Sequence, residues 1–189
     1  MKRILTTERL DAYLISRPLA APCLAYEKRN RELFRPYSVT QKESYYTLGT
    51  FQDVCERQER LHEEGRMLPL LFFARGERQH VIASVSLNQI VWGPFRSAKL
   101  SYSVDGEHQR KGYGGEAVKA VVEYAFSQLH LHRIEAHIQE INVASLALAR
   151  ALGFQEEGIA RGYLFRNGKW IDHLRLSLLN SIVDMSTLN

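Results

Sequence analysis

Cysteine is scarce in this sequence, and long apolar runs are missing. The two cysteines among 189 residues, Cys23 and Cys55, are too few for a disulfide framework or a thiolate metal cluster. Each reads as a small buried hydrophobe, and no metal is expected. No stretch approaches the ~20 consecutive apolar residues that cross a bilayer, so no membrane partner is expected. The opening, Met1 to Leu10, holds Lys2 and Arg3 but neither a long apolar segment nor a small-residue cleavage site. It does not read as a secretory leader, and a cytoplasmic location is the expectation. Charge of one sign is also modest. The formal net charge of +4 is spread along the chain without a basic stripe or an aromatic stacking motif, which argues against direct nucleic-acid binding.

With 45% hydrophobic residues and no internal repeat or low-complexity linker, the chain fits one domain with a sizeable core. Its expected extent is residues 1–180, followed by a frayed tail at 181–189. Residues 4–16 read as a first strand. Pro18 and Pro22 break that pattern, and one or two short helices follow over 19–33. Leu48, Phe51, Val54, Cys55, Gln58 and Leu61 recur at helical spacing, predicting a helix over 44–64 that Gly65 closes. Apolar strands at 67–74 and 81–91 and an alternating one at 97–104 make a three-stranded meander. Ala117, Val118, Val121, Val122 and Ala125 then form the buried stripe of a helix beginning near Glu116. In the next strand Ile134, Ala136 and Ile138 alternate with Glu135, His137 and Gln139. Asn142 opens a short helix that Gly153 ends, and Asn167-Gly168 signals a two-residue hairpin turn beginning from Tyr163. The expected fold is an α/β (α+β) domain on a mixed, mostly antiparallel twisted sheet of about seven strands, with helices on both faces.

The meander delivers the chain to Gln109-Arg110-Lys111-Gly112-Tyr113-Gly114-Gly115, where a strand feeds a glycine-rich turn that opens a helix. Glycine admits positive φ and lets a ligand approach the main chain without meeting a Cβ. A helix start leaves several N–H groups unpaired and carries partial positive charge, which suits a phosphate or pyrophosphate. Arg110 and Lys111 add two cations there. The spacing fits neither GxxxxGK[ST] nor GxGxxG.

It does fit Gln/Arg-x-x-Gly-x-Gly through Gln109, Gly112 and Gly114, and so resembles the acetyl-CoA pyrophosphate loop of the GNAT superfamily of N-acetyltransferases. Asn142-x-x-Ser145 after the penultimate strand and Leu152-Gly153-Phe154 before the closing hairpin stand in the order that superfamily requires. Within it, Leu5-Thr6-Thr7-Glu8-Arg9-Leu10, Val91-Trp92-Gly93-Pro94-Phe95, His132-Arg133-Ile134 and Gly168-Lys169-Trp170-x-Asp172-His173 resemble the bacterial ribosomal-protein-alanine N-acetyltransferases of the RimJ type. The resemblance spans about residues 4 to 179.

It implies direct attack of a neutral amine on the thioester of acetyl-CoA, with no covalent enzyme intermediate. Backbone N–H groups of residues 110–115 would hold the pyrophosphate, and the strand edge at Ser103 and Val104 would pair with the extended pantetheine arm. Asn142 is implied as a further contact to that arm, or it caps the helix that follows. Ser145 is implied as proton donor to the leaving thiolate, or it is an ordinary first-turn serine. His137 is a candidate base, with Glu135 two residues away on the same face; either could instead be a satisfied sheet residue. A third possibility is no dedicated base, because an N-terminal amine with pKa near 8 is already partly neutral. Tyr37, Tyr45, Tyr46, Tyr163 and Trp170 are aromatic candidates for an acceptor groove or for plain packing. The expected acceptor is a protein or peptide N-terminus, for example that of a ribosomal protein. A small-molecule amine and a non-catalytic acetyl-CoA sensor are the alternatives, and the chain is expected as a monomer or homodimer.

Overall fold

The apolar run from Leu68 is continuous because the sheet it enters is covered on both faces. The computed structural model describes residues 1–180; the tail at 181–189, expected to be frayed, lies outside the described residues. The strands are β1 (Arg3–Thr6), β2 (Leu10–Leu14), β3 (Leu68–Ala74), β4 (Val81–Val91), β5 (Ser97–Val104), β6 (Arg133–Ile138), β7 (Gln155–Arg166) and β8 (Lys169–Leu179). The helices are α1 (Ala20–Phe34), α2 (Leu48–Glu63), α3 (Tyr113–Ser127) and α4 (Val143–Ala151). One eight-stranded sheet runs β1-β2-β3-β4-β5-β6-β8-β7. Its pairings are antiparallel except β5 with β6, which are parallel and joined by α3.

Strand alternation sorts the core into two layers. Leu68, Leu70 and Phe72 of β3 pack with Ala117, Val118 and Val121 of α3 and Leu146 of α4. Leu71 and Phe73, on the opposite face, pack with Cys23 and Tyr26 of α1 and Phe51 and Cys55 of α2. Both cysteines are free and buried, in the role expected of them. The α1/α2 layer covers the β2–β4 half of the sheet and reaches β5 at Ser103. Beyond it, the same face of β5, β6 and β8 carries the polar residues Lys99, Glu135, His137, Arg175 and Ser177.

Three elements depart from expectation. The single strand read over 4–16 is two strands, because Thr7 N donates to Leu10 O (2.8 Å) and Leu10 N to Thr7 Oγ1 (3.0 Å), turning the chain at Glu8-Arg9. This accounts for eight strands where about seven were expected. Helix α2 starts at Leu48 rather than 44, because the Thr47 hydroxyl accepts from Thr50 N at 3.2 Å and caps it. The closing hairpin begins at Gln155 rather than Tyr163. Register shifts near Gly158 and Gly162 interrupt its alternation and hide the first half of β7 from a period-two reading. Its turn is as expected, with Asn167 at φ 50° and Gly168 at φ 82°.

Candidate active site

The site forms where two neighbouring parallel strands part. Pairing of β5 with β6 ends at Leu100–Ala136, yet β5 continues to Val104. Ser101 to Val104 keep their antiparallel partners in β4, so their other edge is open to an extended ligand. The Ser103 hydroxyl is turned to the α1 side, 2.8 Å from Tyr26 Oη.

The glycine run starts beyond the end of that edge. Gly112 takes φ 81° and Arg110 φ 59°. Helix α3 begins at Tyr113, three residues earlier than expected, so Gly114 and Gly115 lie inside its first turn. Their lack of a side chain serves close packing rather than positive φ. A Cβ on Gly114 would lie 2.9 Å from Val104 Cγ2, and one on Gly115 would meet Leu148 at 3.6 Å. Among the described residues, the backbone N–H groups of 110–115 meet no protein acceptor, and the helical ladder opens with Glu116 N, which reaches Gly112 O at 3.1 Å. The side chains of Arg110 and Lys111 are exposed. Together these groups make a concave donor surface with cations at its rim.

The β1–β2 turn braces this loop. Arg9 donates to Lys111 O (2.9 Å) and Glu116 Oε2 (2.6 Å), and its guanidinium stacks on the Tyr113 ring 4.3 Å from the centroid. Thr7 Oγ1 and Arg9 N both donate to Glu116 Oε1. Burial pushes the Glu116 carboxyl upward, but the hydrogen bonds from Thr7 and Arg9 outweigh it and hold the group below its ordinary range. Glu116 is thus an anion in a helix first turn whose charge is matched by Arg9. Sequence reasoning noted the Thr7–Arg9 segment without seeing this contact, which spans 107 residues.

A cleft of about 210 Å³ opens between the parted strands, lined by Tyr37, Tyr102, His137, Gln139, Asn142, Ser145 and His173 among others. Asn142 caps α4, its side-chain oxygen accepting from Ser145 N at 3.2 Å. Ser145 Oγ donates to Tyr102 Oη at 2.8 Å, while the Tyr102 hydroxyl donates to Ser145 O at 2.9 Å. Burial raises the Tyr102 pKa and keeps it protonated at neutral pH. Tyr102 is a residue the sequence reading missed. Nothing local marks its hydroxyl as reaching α4.

On the other wall His137 and Glu135 stand on one face of β6, as their spacing requires. His137 Nδ1 is 2.6 Å from Tyr163 Oη, and its buried Nε2 lies 3.4 Å from Glu135 Oε2 without hydrogen-bond geometry. Burial first, and the nearby Lys99 charge second, lower the His137 pKa, so the ring is neutral near pH 7. Glu135 is less free. It accepts from Arg133 Nε at 2.8 Å, within a network in which Arg133 also grips Glu157 through two bonds of 2.7 and 2.6 Å. The Arg133 fork holds the Glu157 carboxyl down to about 2. Of the aromatic candidates, Tyr37 and Tyr163 reach this site. Tyr45 packs on Phe51 and Tyr46 lies under Arg31, while Trp170 is exposed on the hairpin against Phe165. A shallower groove, lined by Arg35, Pro36, Thr40, Arg166 and Asn167, lies between the end of α1 and the hairpin turn.

Comparison with known proteins gives the family and the fold. The family model for the acetyltransferase (GNAT) domain matches residues 17–155. The chain is 39% identical over 158 residues to a probable N-acetyltransferase of Bacillus subtilis, YjcK, covering 83% of this chain and 86% of that one. It is 30% identical over 174 residues to the [ribosomal protein uS5]-alanine N-acetyltransferase of Escherichia coli, covering 92% and 89%. Its structure superimposes with a TM-score of 0.88, at 29% identity, on the ribosomal-protein-S5-alanine acetyltransferase of Vibrio fischeri, covering 95% of this chain and 98% of that one.

Proposed function

The chain belongs to the GNAT acetyltransferase family and is an acetyl-CoA-dependent N-acetyltransferase, and on that premise we propose that its acceptor is the N-terminal α-amine of a protein, of the kind its ribosomal-protein-alanine relatives modify. The observation that carries this reading is the charge of the acceptor cleft. His137 and His173 line it, both held toward the neutral form by burial, and the cations Lys99 and Arg175 stand beside His137, while Glu135 and Glu157 are tied to Arg133. A polyamine would find no unengaged carboxylate there among the described residues. A single neutral amine on a peptide needs none.

The reaction then proceeds as follows. The donor surface of residues 110–115 holds the pyrophosphate, with Gln109, Arg110 and Lys111 at its rim. The pantetheine arm adds to the open edge at Ser103 and Val104, and the Asn142 amide nitrogen donates to it while its oxygen caps α4. The thioester lies over the cleft. Neutral His137 accepts the proton of the attacking amine by way of the Tyr163 hydroxyl, which lies 2.6 Å from its Nδ1 and passes its own proton on as it takes the amine's. When the tetrahedral intermediate collapses, the C–S bond breaks and the thiolate takes the Ser145 hydroxyl proton, turned from Tyr102 Oη to the sulfur, and solvent returns a proton to Ser145 as His137 releases the one it accepted. Glu135 acts through His137 rather than as the base, because Arg133 Nε holds one of its oxygens and the other lies 3.4 Å from His137 Nε2.

The test is thiol release from acetyl-CoA with a panel of Ala- and Ser-starting peptides beside spermidine and free amino acids. Turnover on peptides, with mass spectrometry locating the acetyl group on the α-amine, is expected. Turnover on spermidine alone would overturn the acceptor assignment, and acetyl-CoA binding without any turnover would make the chain a sensor.

A further inference from the structure

A second cluster of ligating side chains lies behind the glycine run, and the reaction above does not use it. His80, Asp105 and His108 each offer a ligand atom within 4.8 Å of the other two. They come from different elements: His80 directly precedes β4, Asp105 directly follows β5, and His108 ends a single 3-10 turn one residue before Gln109. His108 Nδ1 lies 2.8 Å and His80 Nε2 3.5 Å from the same oxygen, Asp105 Oδ2. The first is a hydrogen bond. The second is not: His80 Nε2 is buried and has no hydrogen-bond partner, which a polar atom in a purely structural network would be expected to have.

The other carboxylate oxygen is already committed. Asp105 Oδ1 accepts from Arg29 Nε at 2.7 Å and Asn30 Nδ2 at 2.8 Å, while Asn30 Oδ1 accepts from Gly106 N at 2.8 Å. Asp105 is fully buried, and these contacts aim Oδ2 at the two imidazoles as outer-shell partners orient a metal ligand. Ligand atoms around a tetrahedral ion with bonds of about 2.0–2.2 Å stand roughly 3.3 Å apart, and the 2.8 and 3.5 Å separations bracket that value. Both imidazoles keep some solvent exposure, which leaves an entry path and room for a water as fourth ligand.

We infer that His80, Asp105 and His108 form a binding site for a divalent transition-metal cation of the zinc class, which ties the base of the acetyl-CoA loop to the start of β4. Two imidazoles and one carboxylate favour Zn²⁺, Ni²⁺ or Cu²⁺ over Mg²⁺ and Ca²⁺, which take oxygen ligands. The ion lies outside the acceptor cleft and takes no part in acyl transfer. This reverses the expectation drawn from the scarcity of cysteine, because histidine and aspartate supply the ligands instead.

The test uses the full, tag-free, chelator-treated chain titrated with ZnCl₂ by calorimetry, and with Co²⁺ followed by visible absorption. One Zn²⁺ per chain at micromolar or tighter affinity is expected, with a tetrahedral Co²⁺ band. A rise in Tm of about 5–10 °C is expected at a hundredfold excess over Kd. His80→Gln and His108→Gln, checked for intact secondary structure by circular dichroism, should each weaken Zn²⁺ binding at least about tenfold, while His132→Gln on the exposed surface leaves it unchanged. No binding, or binding that survives both substitutions together, would overturn the assignment. None of these readouts depends on which amine the enzyme acetylates.

Discussion

The two ends of the cleft are built on different principles. At the loop end the proposed ligand surface is main chain: N–H groups from Arg110 to Gly115, a helix start, and Gly114, which lets α3 approach Val104 of β5. At the acceptor end it is side chains that meet across the fold, Ser145 with Tyr102 and His137 with Tyr163. The first kind of site is read in one short sequence window, because consecutive residues make it. In the second, Ser145, His137 and Tyr163 stand out in sequence but their pairings do not, because the partners lie 43 and 26 residues apart.

Substitutions should separate the two ends by which kinetic constant moves. The largest effect is expected at Ser145: Ser145→Ala removes the proton donor and should lower kcat by about 10²-fold, with the KM for acetyl-CoA nearly unchanged. Tyr102→Phe should reproduce part of that loss in steady-state assays, because Ser145 Oγ loses the acceptor that orients it. An equal rise in KM instead would move these residues from chemistry to binding. Next comes the main-chain end. Gly114→Ala sets a Cβ 2.9 Å from Val104 Cγ2, an overpacking of about 1–3 kcal/mol that should weaken acetyl-CoA binding roughly tenfold in calorimetry. Adding Val104→Ala makes room and should restore most of the affinity.

His137 should show itself in pH dependence rather than in size. Only the neutral ring can accept a proton, so activity falls as pH drops through its pKa, and burial places that limb below the ordinary value of about 6.5. His137→Gln should cost roughly tenfold in kcat/KM at neutral pH. It should also move the acid limb up toward the pKa of the amine itself, near 8. A profile identical to the parent would leave the amine without a dedicated base. The smallest effect is expected at the rim. Arg110→Gln removes an exposed cation and should weaken acetyl-CoA binding only about threefold at low salt, and less at high salt.

The contrast also appears in what could be foreseen. Strand β5, the stripe of α3 and the Asn167-Gly168 turn were read correctly, since period and turn chemistry are properties of adjacent residues. The double role of the opening segment was not. Its turn depends on the Thr7 side chain, and its purpose is a contact with Glu116 in a distant helix. Asn142 was placed at its helix start from sequence, and the structure adds that its oxygen is spent on the cap.

Sequence by itself therefore determined the family, the order of most strands and helices, and the position of the glycine run, because motif resemblance, short-range periodicity and glycine placement are all properties of neighbouring residues. Tertiary structure decided which side chains share the cleft. Inserting β8 between β6 and β7 puts the polar face of β8 beside His137, and the long β7 hairpin carries Tyr163 over that histidine. The parting of β5 from β6 opens the edge between them. Those arrangements depend on long-range strand pairing, and no local window of sequence contains it.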